Sequence, residues 1–273
     1  MNVEAFIQRF GAGLEVMADM PLPQARRAYD KLCSTFTPPD PDGMRVEDSV
    51  IESVSVRRFI PQSSTPGAIL FIHGGGFTIG SVDSHHGTAA SLAQALNHEV
   101  VSVNYRLAPE VDYPVMLAEC RTVLDALQPS ALVGDSAGGR LAIDLAHSLN
   151  DAPPLGLIYP PVGELSLACL GKDAPLLSRR DIVSIRAQCP EIIATERDRS
   201  PPASGIEILT VEHDPLTRPI EAAAAEWRLE GASIGYRCAP QMVHGALHAQ
   251  SQLAEMGNAW QAFCQALKKR LKP

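Results

Sequence analysis

Apolar positions along the chain change period several times, and those changes divide it into elements. Phe6, Phe10, Leu14 and Met17 recur at helical steps, and Leu22, Ala25, Tyr29 and Leu32 repeat the spacing. Residues 1–35 therefore predict two amphipathic helices. The run Pro38-Pro39-Asp40-Pro41-Asp42-Gly43 suits neither helix nor ladder and marks a boundary. After it, Val50 to Ile60 is rich in β-branched residues and predicts edge strands. Ala68 to Ile72 is a continuous apolar run between turn signals, as expected of a strand covered on both faces.

A regular alternation follows. Residues 99–104, 131–133, 155–159 and 205–211 predict strands, and Ile234, Tyr236 and Cys238 alternate along a last one. Between and after them lie helical stripes: Met116, Leu117, Cys120, Val123, Leu124 and Leu127; then Leu141, Ala142, Leu145 and Leu149. Two more carry Ile220, Ala223, Ala224 and Trp227, and Leu253, Met256, Trp260, Phe263 and Leu267. Strand–helix alternation predicts an α/β chain with a mostly parallel central sheet and helices on both faces. Residues 163–204 break the rhythm with Pro175, Pro190, Pro201, Pro202 and mixed charge. So long an insertion between core strands predicts a lid rather than a disordered linker.

Composition removes several classes. The 273 residues are 45% hydrophobic and 20% charged, which excludes disorder, collagen-like repeats and coiled coil. That length allows one large domain or two. Lys and Arg number 23 against 31 Asp and Glu, a net charge of −8 with no basic run. Such a balance argues against binding nucleic acid or an anionic membrane surface. Cys33, Cys120, Cys169, Cys189, Cys238 and Cys264 form no C-x-x-C pair and read as free, mostly buried thiols of a reduced compartment. The stretch Met1 to Phe6 lacks a basic start with an apolar run, and no window holds 18 apolar residues in a row. The expectation is a cytoplasmic chain with no membrane span.

The candidate chemistry lies in short motifs. Gly134-Asp135-Ser136-Ala137-Gly138 places G-x-S-x-G between an apolar strand and an amphipathic helix. Small residues at 134 and 138 permit a sharp turn that lifts the Ser136 hydroxyl clear, and the helix start adds N–H groups and a positive dipole end. A small-residue turn joining strand to helix is the plainer alternative. His73-Gly74-Gly75-Gly76-Phe77 follows the strand 68–72, and its glycines let backbone N–H groups face a substrate oxygen. A dinucleotide fingerprint starting at Gly74 fails at Ile79, and no G-K-[ST] follows. An oxyanion hole that this loop shares with the Ala137 N–H accounts for it better.

A serine nucleophile needs a base oriented by an acid. Asp214 stands just past the strand 205–211 and His244 just past the strand 234–238. Rivals are His213 and Glu212 beside Asp214, and His248, expected within the last helix; His85, His86, His98 and His147 read as structural. No H-E-x-x-H or H-x-x-E-H occurs, and adjacent His85 and His86 would diverge, so no metal is expected.

Together, His73-Gly74-Gly75-Gly76-Phe77, Tyr105 to Glu110 (Tyr-Arg-Leu-Ala-Pro-Glu), Gly134 to Gly139, Asp214-Pro215-Leu216 and His244-Gly245 resemble the hormone-sensitive-lipase-like family of α/β-hydrolases. The resemblance runs from about residue 45 to the C-terminus. It implies an α/β-hydrolase fold over 45–273, with a small helical cap built from 1–44 and the insertion 163–204. It also implies Ser136 as nucleophile, His244 as base, Asp214 as orienting acid, and Gly75, Gly76 and Ala137 as oxyanion donors. The implied activity is hydrolysis of short acyl esters of small molecules, without a cofactor, with Tyr105 to Glu110 bracing the turn near the site. Ala246 stands where the family often has Phe, which predicts a wider pocket beside the base. Thr217-Arg218-Pro219 separates Asp-Pro-Leu from Glu221, where the family has an acidic pair, and the chain is shorter in the cap. Amide or formamide hydrolysis on the same triad, or a non-catalytic small-molecule receptor, are the alternative functions, and a homo-oligomer is left open.

Overall fold

The computed structural model describes residues 1–188 and 196–271. Cys189 and Pro190, and part of the expected lid, lie outside the described residues.

The N-terminal stripes form α1 (Val3–Ala18) and α2 (Leu22–Ser34). Asn2 caps α1 through its Oδ1, which accepts the Ala5 N–H, and Pro23 sits in the first turn of α2, where a missing N–H is harmless. Their inward faces bury Phe6, Phe10, Met17, Ala25 and Tyr29. β1 (Arg45–Ile51) and β2 (Val54–Ile60) then form an antiparallel hairpin. β1 is an edge strand as expected, but β2 is not. It pairs on its other side with β4 (His98–Val103), Val56 opposite Val103. Val54, Val56 and Phe59 are buried, so this strand has the apolar face an interior position requires.

The remaining strands are β3 (Thr65–Ile72), β5 (Ala131–Asp135), β6 (Leu155–Ile158), β7 (Gly205–His213) and β8 (Ser233–Val243). The sheet order is β1-β2-β4-β3-β5-β6-β7-β8, parallel from β4 to β8. Helices α3 (His86–Leu96), α4 (Tyr113–Leu127), α5 (Ala137–His147), α7 (Thr217–Leu229) and α8 (Ala254–Lys268) connect or follow these strands. α6 (Arg179–Gln188) belongs to the insertion. Ala68 to Ile72 of β3 and all of β5 and β6 are buried, which is why they read as unbroken apolar runs.

The chain leaves β3 for β4 on one side and returns to β5 on the other. In open parallel sheets a crevice opens at such a reversal, outside the carboxyl ends of the strands. The two glycine-rich motifs follow β3 and β5 at that crevice. Among the described residues, no helix is long and apolar enough to cross a membrane.

Candidate active site

Ser136 occupies the junction of β5 and α5 with φ 48° and ψ −121°, a conformation that disfavours any L side chain. Neighbouring glycines make the turn possible by close approach. A Cβ on Gly134 would lie 2.4 Å from the Gly138 carbonyl oxygen, and one on Gly138 would lie 2.0 Å from that of Ile72. The turn is further fixed by the Ser136 N–H, which donates to the Ile158 carbonyl at 2.8 Å.

The three side chains chosen from spacing come together. Ser136 Oγ lies 3.0 Å from His244 Nε2, and His244 Nδ1 lies 2.7 Å from Asp214 Oδ2. Nδ1 facing a carboxylate carries the proton, which leaves Nε2 free to accept from the serine hydroxyl. The Asp214 side chain is fully enclosed, and its Oδ1 accepts the Leu216 N–H at 2.8 Å. That second bond fixes the carboxylate before the base meets it. Tyr159, which spacing did not single out, sits beneath the base with its ring 4.4 Å from the His244 ring. Burial, then the nearby Asp135 and Asp214 carboxylates, push its hydroxyl well above the ordinary range, so it stays neutral there.

The glycine loop after β3 turns tightly at Gly75, whose φ of +120° and closeness to the Ile79 carbonyl (2.1 Å from a built Cβ) admit no side chain. The Gly75 carbonyl accepts the N–H groups of Thr78 and Ile79 at 3.2 and 3.0 Å. Behind the loop, Asp135 Oδ1 accepts the Gly74 N–H at 3.0 Å, and Oδ2 faces His85 Nε2 at 3.3 Å. Burial raises the Asp135 carboxyl, but His85, together with His248 and His73, holds the group below its usual range. Tyr105 braces the start of the loop, donating its hydroxyl to the His73 carbonyl at 2.8 Å and stacking on the His73 ring.

Beside Ser136 is a small apolar cavity of about 30 Å³, room for a water or a small acyl group. Gly76, Phe77, Ala137 and Leu216 line it from the catalytic side, and Leu165, Leu177, Ile182 and Ile185 from the insertion. Gly76 and Ala137 thus share a wall with the nucleophile, and Gly75 lies one residue deeper in the turn. Ala246 is fully buried, and the lining comes from other residues, so its small side chain opens no extra room. A larger groove at the opposite end of the sheet, between Arg121, Gln128, Pro154 and Arg270, lies far from the nucleophile.

The rival histidines take other places. His248 belongs to a short 3-10 turn, Ala246–Ala249, and not to the last helix, which begins only at Ala254. The left-handed Gly245 turns the chain just after the base and starts this separate turn. There His248 packs against Phe10, with Nε2 3.1 Å from the Tyr29 hydroxyl. His86 turns away from His85 to Asp40, 2.7 Å from Oδ1, as divergence of adjacent side chains requires. His213 and Glu212 are exposed, and Glu212 accepts the Gln241 N–H instead of facing the base. His98 bonds the Leu96 carbonyl, and His147 closes α5. Among the described residues, no group of three His, Cys, Asp or Glu could hold a metal ion. Cys33, Cys120 and Cys264 are buried free thiols, Cys169 is half-buried and Cys238 is exposed.

Comparison with known proteins agrees with this architecture. A family described as the alpha/beta hydrolase fold matches residues 69–248, the stretch from β3 through the base. The chain is 30% identical to the carboxylesterase NlhH of Mycobacterium tuberculosis over an alignment that covers 89% of each protein. With the versiconal hemiacetal acetate esterase stcI of Emericella nidulans it shares 34% identity over 127 residues, 44% of each chain. The chain thus spans less than half the length of some of the curated relatives it matches. An esterase structure from the bacterial hormone-sensitive lipase family superposes with a TM-score of 0.83 at 22% identity, covering 97% of this chain and 98% of that one. These matches place the chain in the α/β-hydrolase family.

Proposed function

We propose that the protein is a serine carboxylesterase that hydrolyses short-chain acyl esters through an acyl-enzyme. The observation that carries this reading is the relay Asp214–His244–Ser136, with contacts of 2.7 and 3.0 Å, set beside an apolar cavity of about 30 Å³. The carboxylesterase NlhH, similar over most of its length, supports the ester class. Residues 45–273 would form the catalytic domain, with 1–44 and the insertion 163–204 as its cap.

The chemistry follows from the geometry. Ser136 Oγ attacks the ester carbonyl while His244 Nε2 takes its proton, and Asp214 stabilises the imidazolium that forms. Negative charge then develops on the carbonyl oxygen, where Gly75, Gly76 and Ala137 N–H groups and the start of α5 would receive it. His244 returns its proton to the leaving alcohol. Water next attacks the acyl-Ser136 ester with His244 as base, releasing the acid. The apolar lining favours a small acyl group, and among the described residues its walls offer no carboxylate or ammonium to a charged one.

Turnover of p-nitrophenyl acetate tests the reading. Ser136→Ala is expected to lower kcat by about 10⁴-fold or more while the fold is retained. Wild-type activity in that variant would overturn the assignment. Faster cleavage of matched anilides than of esters would move the activity to amide hydrolysis.

A further inference from the structure

The glycine loop between β3 and α3 belongs to neither ladder nor helix. Gly75, Gly76 and Phe77 are left-handed in succession, with φ of 120°, 58° and 65°. Phe77 carries a side chain in that region, and such backbone persists only where its surroundings over-determine it. Two of the contacts that do so come from α2.

Arg26, on α2, donates Nε to the Thr78 carbonyl at 2.9 Å and Nη2 to the Ala108 carbonyl at 2.8 Å. The same guanidinium holds both oxygens of Glu110, at 2.9 and 2.7 Å. One side chain thus ties α2 to the glycine loop and to the Tyr105–Glu110 segment beside it. That segment also holds the loop directly, because the Ala108 N–H donates to the Phe77 carbonyl at 2.9 Å. One turn along α2, Asp30 accepts the Ser81 hydroxyl at 2.6 Å. From there Ser84, His85 and Asp135 lead back to the Gly74 N–H. The left-handed stretch is therefore suspended between Asp135 at Gly74 and α2 at Thr78 and Ser81.

We propose that Arg26 is a positioning residue for the oxyanion loop, pinning the Thr78 and Ala108 carbonyls so that the Gly75–Gly76 backbone stays aimed at the cleft. The inference rests on the reading of this loop as an oxyanion hole. It goes beyond that reading by giving the N-terminal helix a part in the rate as well as in covering the site. Lysine is no equivalent here, since an ammonium lacks the planar fork that reaches two carbonyls and a carboxylate together.

The test compares the full chain with Arg26→Ala and Arg26→Lys. Amide hydrogen exchange of the 73–81 segment and steady-state hydrolysis of p-nitrophenyl acetate are measured for each. For Arg26→Ala the expected result is faster exchange at Thr78 and Ile79, with β5 and β7 protected as in the wild type. A drop in kcat of about 10- to 100-fold, with KM within about twofold, should accompany it, because misplacing a preorganised donor acts in the transition state. Millimolar methylguanidinium should restore part of that loss, and Arg26→Lys should fall between the two. Wild-type loop exchange in Arg26→Ala, or a kcat loss matched by loss of protection throughout the sheet, overturns the proposal. Should Arg26→Ala fail to fold, Arg26→Lys decides: intermediate loop exchange supports the clamp and wild-type exchange overturns it. A wild-type chain with no esterase turnover refutes the functional reading, and the exchange measurement still decides the clamp.

Discussion

The two segments proposed above as the cap are held in different ways. α1 and α2 dock through an aromatic cluster, with Phe6 centred 5.3 Å from Phe36 and Phe10 stacked on His248, and through the polar reach of Arg26 and Asp30. Among the described residues, the insertion turns aliphatic side chains to the cleft: Leu165, Leu177, Ile182 and Ile185. Its polar attachments lie away from the cleft, at Ala168 and Gly171, which meet Arg218 and Pro215, and near its end. There Asp198 accepts Arg140 Nη1 at 2.7 Å and the Gly163 N–H at 3.0 Å, while its carbonyl accepts Trp227 Nε1 at 2.9 Å. One cover is thus bonded to the backbone that would do chemistry. The other shapes the space a substrate fills, so its side chains can change without disturbing the relay.

The largest effect should come from the insertion's attachment. Asp198→Ala leaves Arg140, whose side chain is 3% exposed, with Asp144 alone. Losing one partner of a buried pair costs about 3 kcal/mol, and thermal or urea unfolding should show it. Proteolysis within 163–204 should also quicken. Stability within about 0.5 kcal/mol of the wild type would mean the insertion is held by its apolar contacts instead.

Acid should act through His73 in the glycine loop and through His248 beneath the N-terminal helices. Burial, then the charge of His85, holds the His73 and His248 imidazoles down to about 3, whereas in an unfolded chain they titrate near 6.5. Between those values the unfolded chain takes up protons that the folded one refuses. Their contribution is therefore complete above about pH 6.5 and is lost as pH falls toward 3, at about 1.4 kcal/mol per pH unit for each residue. Urea midpoints from pH 7 to 4 should show His248→Gln with a shallower fall than the wild type. Parallel curves would mean His248 contributes nothing to acid sensitivity.

The smallest change should sharpen the contrast. Ile185→Ala enlarges the cleft near Gly76 without touching relay or clamp. With about 0.8 kcal/mol for each methylene buried, the butyrate-to-acetate ratio of kcat/KM should rise about tenfold while acetate turnover stays within twofold. An unchanged ratio would take Ile185 out of the acyl site.

Much of this site was legible along the chain because its requirements are local. The turn at Ser136 demands small residues two positions away on each side, and Gly134 and Gly138 meet carbonyls at 2.4 and 2.0 Å from a built Cβ. Asp214 and His244 follow consecutive core strands, so strand order alone brings them to one edge of a parallel sheet. Misplaced expectations arose where neighbours decide. β2 reads as an edge strand until β4, forty residues on, pairs with it. His248 reads as helical until Gly245 diverts the chain into a turn of its own.

Periodicity and glycine chemistry by themselves determined the alternating α/β order, the elbow and the Ser–Asp–His succession, because each follows from which side chains a few adjacent residues can accommodate. Only the tertiary structure decided how large the cleft is, that Tyr159 lies under the base, and that Arg26 meets carbonyls 52 and 82 residues away. Those features are contacts between segments that share no local pattern. They exist only once the sheet and its covers have packed, and in such contacts the rate and the choice of substrate would be set.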